Sequence, residues 1–75
     1  FAFDASGNLY IADNRANALS LLTRAGRLHR PLADQRRFSP ESLHFAGGTL
    51  FITDSDNGRL YRYTPADGLS VVAVF

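Results

Sequence analysis

Gly7-Asn8-Leu9-Tyr10-Ile11-Ala12-Asp13 and Gly48-Thr49-Leu50-Phe51-Ile52-Thr53-Asp54 are two renderings of one pattern, set 41 residues apart. Each opens on a glycine, carries aliphatic residues at alternate positions and closes on an aspartate. Sliding residues 1–34 over 42–75 without gaps also matches Ala5, Leu19, Thr23, Ala25 and Leu28 to Ala46, Leu60, Thr64, Ala66 and Leu69. The matches fall on turn glycines, strand interiors and one acidic strand end, so they repeat a scaffold rather than an active site. A period of this size marks one supersecondary unit stacked on its neighbour.

Around this pattern, short apolar runs are separated by Gly, Asn, Asp and Pro, the signature of strands rather than helices. Eight strands are predicted, at 1–4, 9–12, 18–23, 28–33, 42–45, 49–53, 59–64 and 69–74. A helix from Ser20 to Gln35 would gather Leu21, Leu22, Leu28 and Leu32 on a face, but Gly26 and Pro31 oppose it. Four strands per repeat fit a propeller blade, which is roughly 40 to 45 residues long. The expected fold is therefore all-β, a β-propeller fragment of about two four-stranded antiparallel blades. Residues 1–34 form the first blade, lacking the start of its inner strand, 35–41 the crossover, and 42–75 the second blade. Asn57-Gly58 predicts a type I′ hairpin turn. Arg27, His29, Arg30 and Pro31 mark the fourth strand as a protected outer edge. Tyr10, Phe51, Tyr61 and Tyr63 are expected to pack between the blades.

Composition narrows the alternatives. A closed propeller needs about four to eight blades, and two cannot close a ring. The 75 residues contain no methionine and start at Phe1 in what reads as mid-strand, so the chain is expected to be an excerpt of a longer protein. With no cysteine and no Cys/His cluster, stability is expected from adjoining blades of the same chain or from other copies, three copies giving six blades. A net charge of +1 gives no bulk attraction for nucleic acid or anionic membranes. No apolar run approaches the roughly 20 residues of a membrane-spanning helix. Localisation stays open. All eight basic residues are arginine, and Arg24, Arg27, Arg30, Arg36 and Arg37 form the one basic concentration, diluted by Asp34 and Glu41.

Leu50-Phe51-Ile52-Thr53 followed by Asp54-Ser55-Asp56-Asn57-Gly58-Arg59-Leu60 resembles the NHL repeat, an aliphatic strand, then Asp-Ser, an Asn, an Arg and a second strand. The first copy, Asp13-Asn14-Arg15-Ala16-Asn17-Ala18-Leu19, is similar at Asp13 and Leu19 but sets Asn17 one place late and Ala18 where the Arg belongs. The stretch from Phe38 to Phe45, running into 48–54 and Arg59-Leu60-Tyr61-Arg62-Tyr63, is also similar to a blade of the gluconolactonase and strictosidine-synthase-like superfamily. These resemblances imply a six-bladed propeller. Its central channel would bind a small ligand or a divalent cation such as Ca²⁺, with hydrolysis of a lactone or ester as the chemistry. The alternative is a non-enzymatic NHL propeller presenting loops to a protein or RNA partner. In gluconolactonases a Glu of a Glu-Gly-Pro segment, with an aromatic four residues later, binds the central metal. Glu41 and Phe45 have that spacing, with Ser42-Leu43 in place of Gly-Pro.

Glu41 is thus the candidate metal residue; its other reading is a solvated loop carboxylate after Pro40. Asp13 and Asp54 recur at equivalent places and are expected to accept hydrogen bonds from the amides of the following turns, with Arg59 adding a charge-assisted contact to such a carboxylate. A calcium-loop reading of residues 54–58 fails on spacing. The EF-hand loop wants its Gly sixth and a Glu twelfth, whereas counting from Asp54 puts Gly58 fifth and Pro65 twelfth. His29 and His44 are assigned to the rim and centre of different blades, which separates them as metal ligands. His44 could line the channel as an acid or base near neutral pH, or simply pack. Ser39, Ser42 and Ser55 lack a nucleophile-elbow context.

Overall fold

The computed structural model describes residues 1–33 and 35–75; Asp34, at the end of the first predicted blade, lies outside them. Eight strands follow in order: β1 (Ala2–Phe3), β2 (Leu9–Asp13), β3 (Ala18–Leu22), β4 (Leu28–Leu32), β5 (Ser42–Ala46), β6 (Thr49–Asp54), β7 (Arg59–Thr64) and β8 (Gly68–Val74). Each predicted run is found to within one residue at either end. They make two four-stranded antiparallel sheets, β1-β2-β3-β4 and β5-β6-β7-β8, and no helix occurs among the described residues. Both sheets are meanders. The chain leaves the outer strand β4 and re-enters at the edge strand β5, which lies against β1 and β2.

The repeat is visible in the strand registers. Tyr10 faces Leu21 and Leu19 faces Leu32 in the first sheet; 41 residues on, Phe51 faces Arg62 and Leu60 faces Ala73. A β-bulge follows Leu19 and another follows Leu60. A bulge bends a strand and increases its twist, so the two sheets are curved at the same place.

The innermost strands depart from the ungapped alignment. Phe3 faces Leu9, but Leu50, the counterpart of Leu9, is faced by Phe45, 42 residues after Phe3. The turn lengths explain the slip. Asp4 N–H donates to the Asn8 carbonyl at 2.9 Å, enclosing the three-residue turn Ala5-Ser6-Gly7. In the second sheet Ala46 pairs with Thr49 around two residues only, Gly47 and Gly48. Both have positive φ, 56° and 79°, as a type I′ turn requires. The match of Ala5 to Ala46 is therefore coincidental.

The expected type I′ turn at Asn57-Gly58 is corrected by the structure. Asp54 and Arg59 are the last pair, four residues intervene, and of these Gly58 alone takes a left-handed conformation, φ 65°. Asn57 stays right-handed because its amide and side chain are both held by Asp54. Asn17 fills the Gly58 position in the first copy, with φ 50°. Asparagine tolerates that region better than other L-residues, which accounts for Asn17 standing one place late in the motif.

Alternation sends one face of each sheet inward. Ala2, Tyr10, Leu19, Leu21 and Leu32 meet Leu43, Phe45, Leu50, Ile52, Tyr61, Tyr63 and Leu69, and Phe38 of the crossover plugs one side. Tyr10 stands edge-on to Phe45 at 5.3 Å and to Tyr63 at 6.4 Å; Phe38 does the same to Tyr61 at 5.3 Å. Three of the four aromatics expected between the sheets are there. Phe51 is not, because Leu50 and Ile52 take the inward positions and alternation turns Phe51 to the far face, opposite His44 and Arg62.

Burial pushes the phenols of Tyr10 and Tyr63 above their ordinary value of 10.0, with the charges of Tyr63 and Asp4 adding to the rise at Tyr10. A raised folded-state pKa means that stability is complete below the ordinary phenol value and is lost as pH climbs through the folded one. Alkaline unfolding is thus expected to coincide with tyrosinate formation, the ultraviolet absorbance change tracking the loss of far-ultraviolet circular dichroism. Tyr63→Phe should move the transition to higher pH; an unmoved transition would show that these phenols do not drive it.

Candidate functional site

Glu41 immediately precedes β5, the edge strand nearest the other sheet, and its amide donates to the Thr53 carbonyl at 2.9 Å. Its side chain is solvent-exposed. The carboxylate accepts the Ser55 hydroxyl and, at 2.9 Å, the Ser55 amide, both on Oε1. The Ser55 hydroxyl, then its amide, holds the Glu41 pKa below the usual carboxylate range, against the opposing pushes of desolvation and of the Asp54 charge. Glu41 is thus an ionised carboxylate that also closes the turn after β6.

Phe45, four residues on, does not join it. It sits near the opposite end of β5 with its ring turned onto Tyr10, because residues four apart on a five-residue strand are separated by roughly 13 Å. No group of three or more His, Cys, Asp or Glu gathers as a metal cage among the described residues. His44 is exposed on the outward face of β5 opposite Phe51, and His29 is exposed on β4 opposite Leu21, so the two histidines lie in different sheets, as the sequence predicts.

The two repeated aspartates do what the sequence predicts, unequally. Asp13 Oδ1 accepts the Ala16 amide at 3.2 Å, and Asp54 Oδ1 accepts the Asn57 amide at 3.0 Å. Asp54 is wholly buried and its Oδ2 takes two further bonds, from Asn57 Nδ2 at 2.8 Å and from the Ser39 amide at 2.9 Å. Ser39 also donates its hydroxyl to Asp56 at 2.8 Å. The crossover is thereby tied to the turn. Among the described residues the expected contact from Arg59 to a carboxylate is not made; its guanidinium lies 3.3 Å from the Tyr61 hydroxyl, which itself donates to the Arg37 carbonyl. Asp13 instead faces Arg30 at 3.9 Å, both side chains partly in water, and such pairs contribute about 0–1 kcal/mol.

A feature the motifs did not announce lies at the far end of β5. The turns after β1, β5 and β7 enclose an open cleft of about 300 Å³, with Asp4, Ser6, Tyr10, Phe45 and Pro65 among its walls. That volume is at the lower end of small-molecule sites. Asp4 stays ionised because the Asn8 amide and side chain and the Ser6 amide hold its carboxylate below the usual range. The signal was present in Asp4-Ala5-Ser6-Gly7-Asn8, a carboxylate set to cap its own turn, but only the packing of the sheets brings Pro65 and Phe45 beside it. Because the cleft and Glu41 lie at opposite ends of β5, one small ligand cannot touch both.

Arg24 and Arg27 flank the turn before β4, Arg30 is on β4 itself, and Arg36 and Arg37 belong to the crossover; all five are exposed. The two blade-like sheets thus present the ionised Glu41 carboxylate before β5 and an aromatic cleft, with Asp4 in its wall, at the other end of that strand. Comparison with protein-family models, with curated proteins and with solved structures finds no match.

Proposed function

We propose that this chain is a two-blade unit of a β-propeller of the NHL or gluconolactonase-like kind. Its inner end, at Glu41, contributes one oxygen ligand to a divalent cation such as Ca²⁺ that serves a small lactone or ester substrate. The observation that carries the reading is the state of Glu41: exposed, ionised, at the entrance of the innermost strand, with both accepted bonds on one oxygen. Ca²⁺ collects about six to eight oxygens from separate elements, so the remaining ligands would come from further blades. A cation bound there supplies Lewis-acid polarisation of an ester carbonyl and a lowered pKa for bound water. The role of this chain is narrower. Ser55 keeps Glu41 charged and fixes its direction, and the Glu41 amide bond to Thr53 fixes its height against β6.

Isothermal titration of the closed propeller, this chain together with its remaining blades, with CaCl₂ and MnCl₂ tests the reading. The wild-type propeller is expected to bind, and Glu41→Gln to weaken binding at least tenfold, with the far-ultraviolet spectrum unchanged. Equal heats for the two proteins would remove Glu41 from any metal site.

A further inference from the structure

We infer that the outward face of the first sheet docks the outward face of the second sheet of another copy of this chain, head to tail. The face in question carries Phe3, Leu9, Ile11, Leu22 and Leu28. Phe3, Leu22 and Leu28 are 59%, 37% and 65% exposed, an apolar surface of the kind that marks an interaction site.

What covers it follows from the interface the molecule already contains. In the second sheet the counterparts of Phe3, Leu9 and Ile11 are Phe45, Leu50 and Ile52, and these bury themselves against Tyr10, Leu19 and Leu21 of the first sheet. The first sheet therefore displays a second example of the surface that the molecule uses internally, left uncovered by the described residues. The complementary surface is displayed as well. The counterparts of Tyr10, Leu19 and Leu21 are Phe51, Leu60 and Arg62, which share the outward face of the second sheet. Phe51 and Leu60 remain half-buried there and Arg62 is exposed. Each copy thus carries both halves of one interface on opposite sides.

By superposition of the repeat, Phe51 of one copy takes the place of Tyr10 and meets Phe3 and Leu22 of the next, which stand where Phe45 and Tyr63 stand internally. The contact is heterologous, so it propagates until the rotation closes a ring. Rings of about four to eight blades correspond to two to four copies.

Sedimentation velocity over a concentration series, with circular dichroism alongside, tests this without any ligand, so its result is separate from that of the metal titration. The wild type is expected to associate into closed species of two to four copies. Phe3→Lys and Phe51→Lys each remove one half of the interface and should each weaken self-association by about 100-fold. Mixed together they should form a one-to-one dimer, since each retains the half the other lacks. Leu28→Lys gives a second probe of the first face at a position that the fold does not bury. A wild-type chain that is monomeric or unfolded at every concentration overturns the inference. So does association that Phe3→Lys and Leu28→Lys leave unchanged, or a mixture of the two complementary variants that stays monomeric.

Discussion

Asp54→Ala is expected to destabilise the chain by about 3–5 kcal/mol, while Asp13→Ala, at the same point of the repeat, should cost about 1 kcal/mol or less. The contrast follows from what each carboxylate holds. Removing Asp54 strips the acceptor from the Ser39 and Asn57 amides and from Asn57 Nδ2 at a site with no exposure to water. Each buried donor left unpaired costs about 1–3 kcal/mol. It also unties the crossover from the β6–β7 turn, so Ser39 loses the bond that positions its hydroxyl against Asp56. Asp13 holds one amide at 3.2 Å and a partly solvated arginine, and water replaces both. Urea unfolding of the two variants beside the wild type gives the comparison. Equal losses would mean that the aspartates serve only their own turns and that the crossover bond contributes nothing. Asp54→Asn sharpens the result: the isosteric amide keeps one acceptor oxygen and should recover part of the loss.

The same pair of residues shows how far the sequence carries. That Asp13 and Asp54 cap turns is legible, because an aspartate after a strand has an obvious use for its oxygens. That only Asp54 is buried is not, because burial depends on the crossover passing over the second sheet and not over the outward face of the first. Strand positions are legible for a related reason: alternation and turn residues are local, and each of the eight runs lies between clear punctuation. The register of the inner strands is less so. A three-residue turn in one copy and a two-residue turn in the other shift β1 against β5 by one place, and an ungapped comparison cannot see it. Asn57-Gly58 misleads in the opposite direction, since its dipeptide favours a two-residue turn but the Asp54 side chain competes for the Asn57 amide and wins.

Of the candidate site, Glu41 and its exposure are legible from Pro40-Glu41 at the mouth of a strand. Its partnership with Ser55 is not, being a contact across 14 residues that exists only once β5 and β6 pair in register. The spacing of Glu41 and Phe45 gives a false lead for a geometric reason, because five extended residues place the two at opposite ends of the strand. The cleft by Asp4 and Phe45 needs three turns from two sheets to converge, and no single stretch of the chain encodes that.

Phe38→Ala should be the most damaging change to the core, at about 3–5 kcal/mol. The side chain comes from neither sheet, yet it is 1% exposed and meets the Tyr61 ring edge-on at 5.3 Å. Arg37, with φ 55°, turns the crossover so that Phe38 points inward, and the Tyr61 hydroxyl holds that turn by donating to the Arg37 carbonyl at 3.1 Å. Truncation leaves a ring-sized void beside Tyr61, in a core cluster that includes Ile52 and Leu32, and strand residues of that kind can collapse into it only in part. A domain of this length has about 4–11 kcal/mol of total stability at about 0.05–0.15 kcal/mol per residue, so the loss takes a large share of it. Phe38→Leu keeps most of the volume and should cost about 1–2 kcal/mol. Phe3→Ala, of similar chemistry but 59% exposed, should cost under about 1 kcal/mol in the dissociated chain. Thermal melts at a concentration below self-association separate the three. If Phe38→Ala melts with the wild type, the crossover is not part of the core, and the two sheets are held by their facing strands alone.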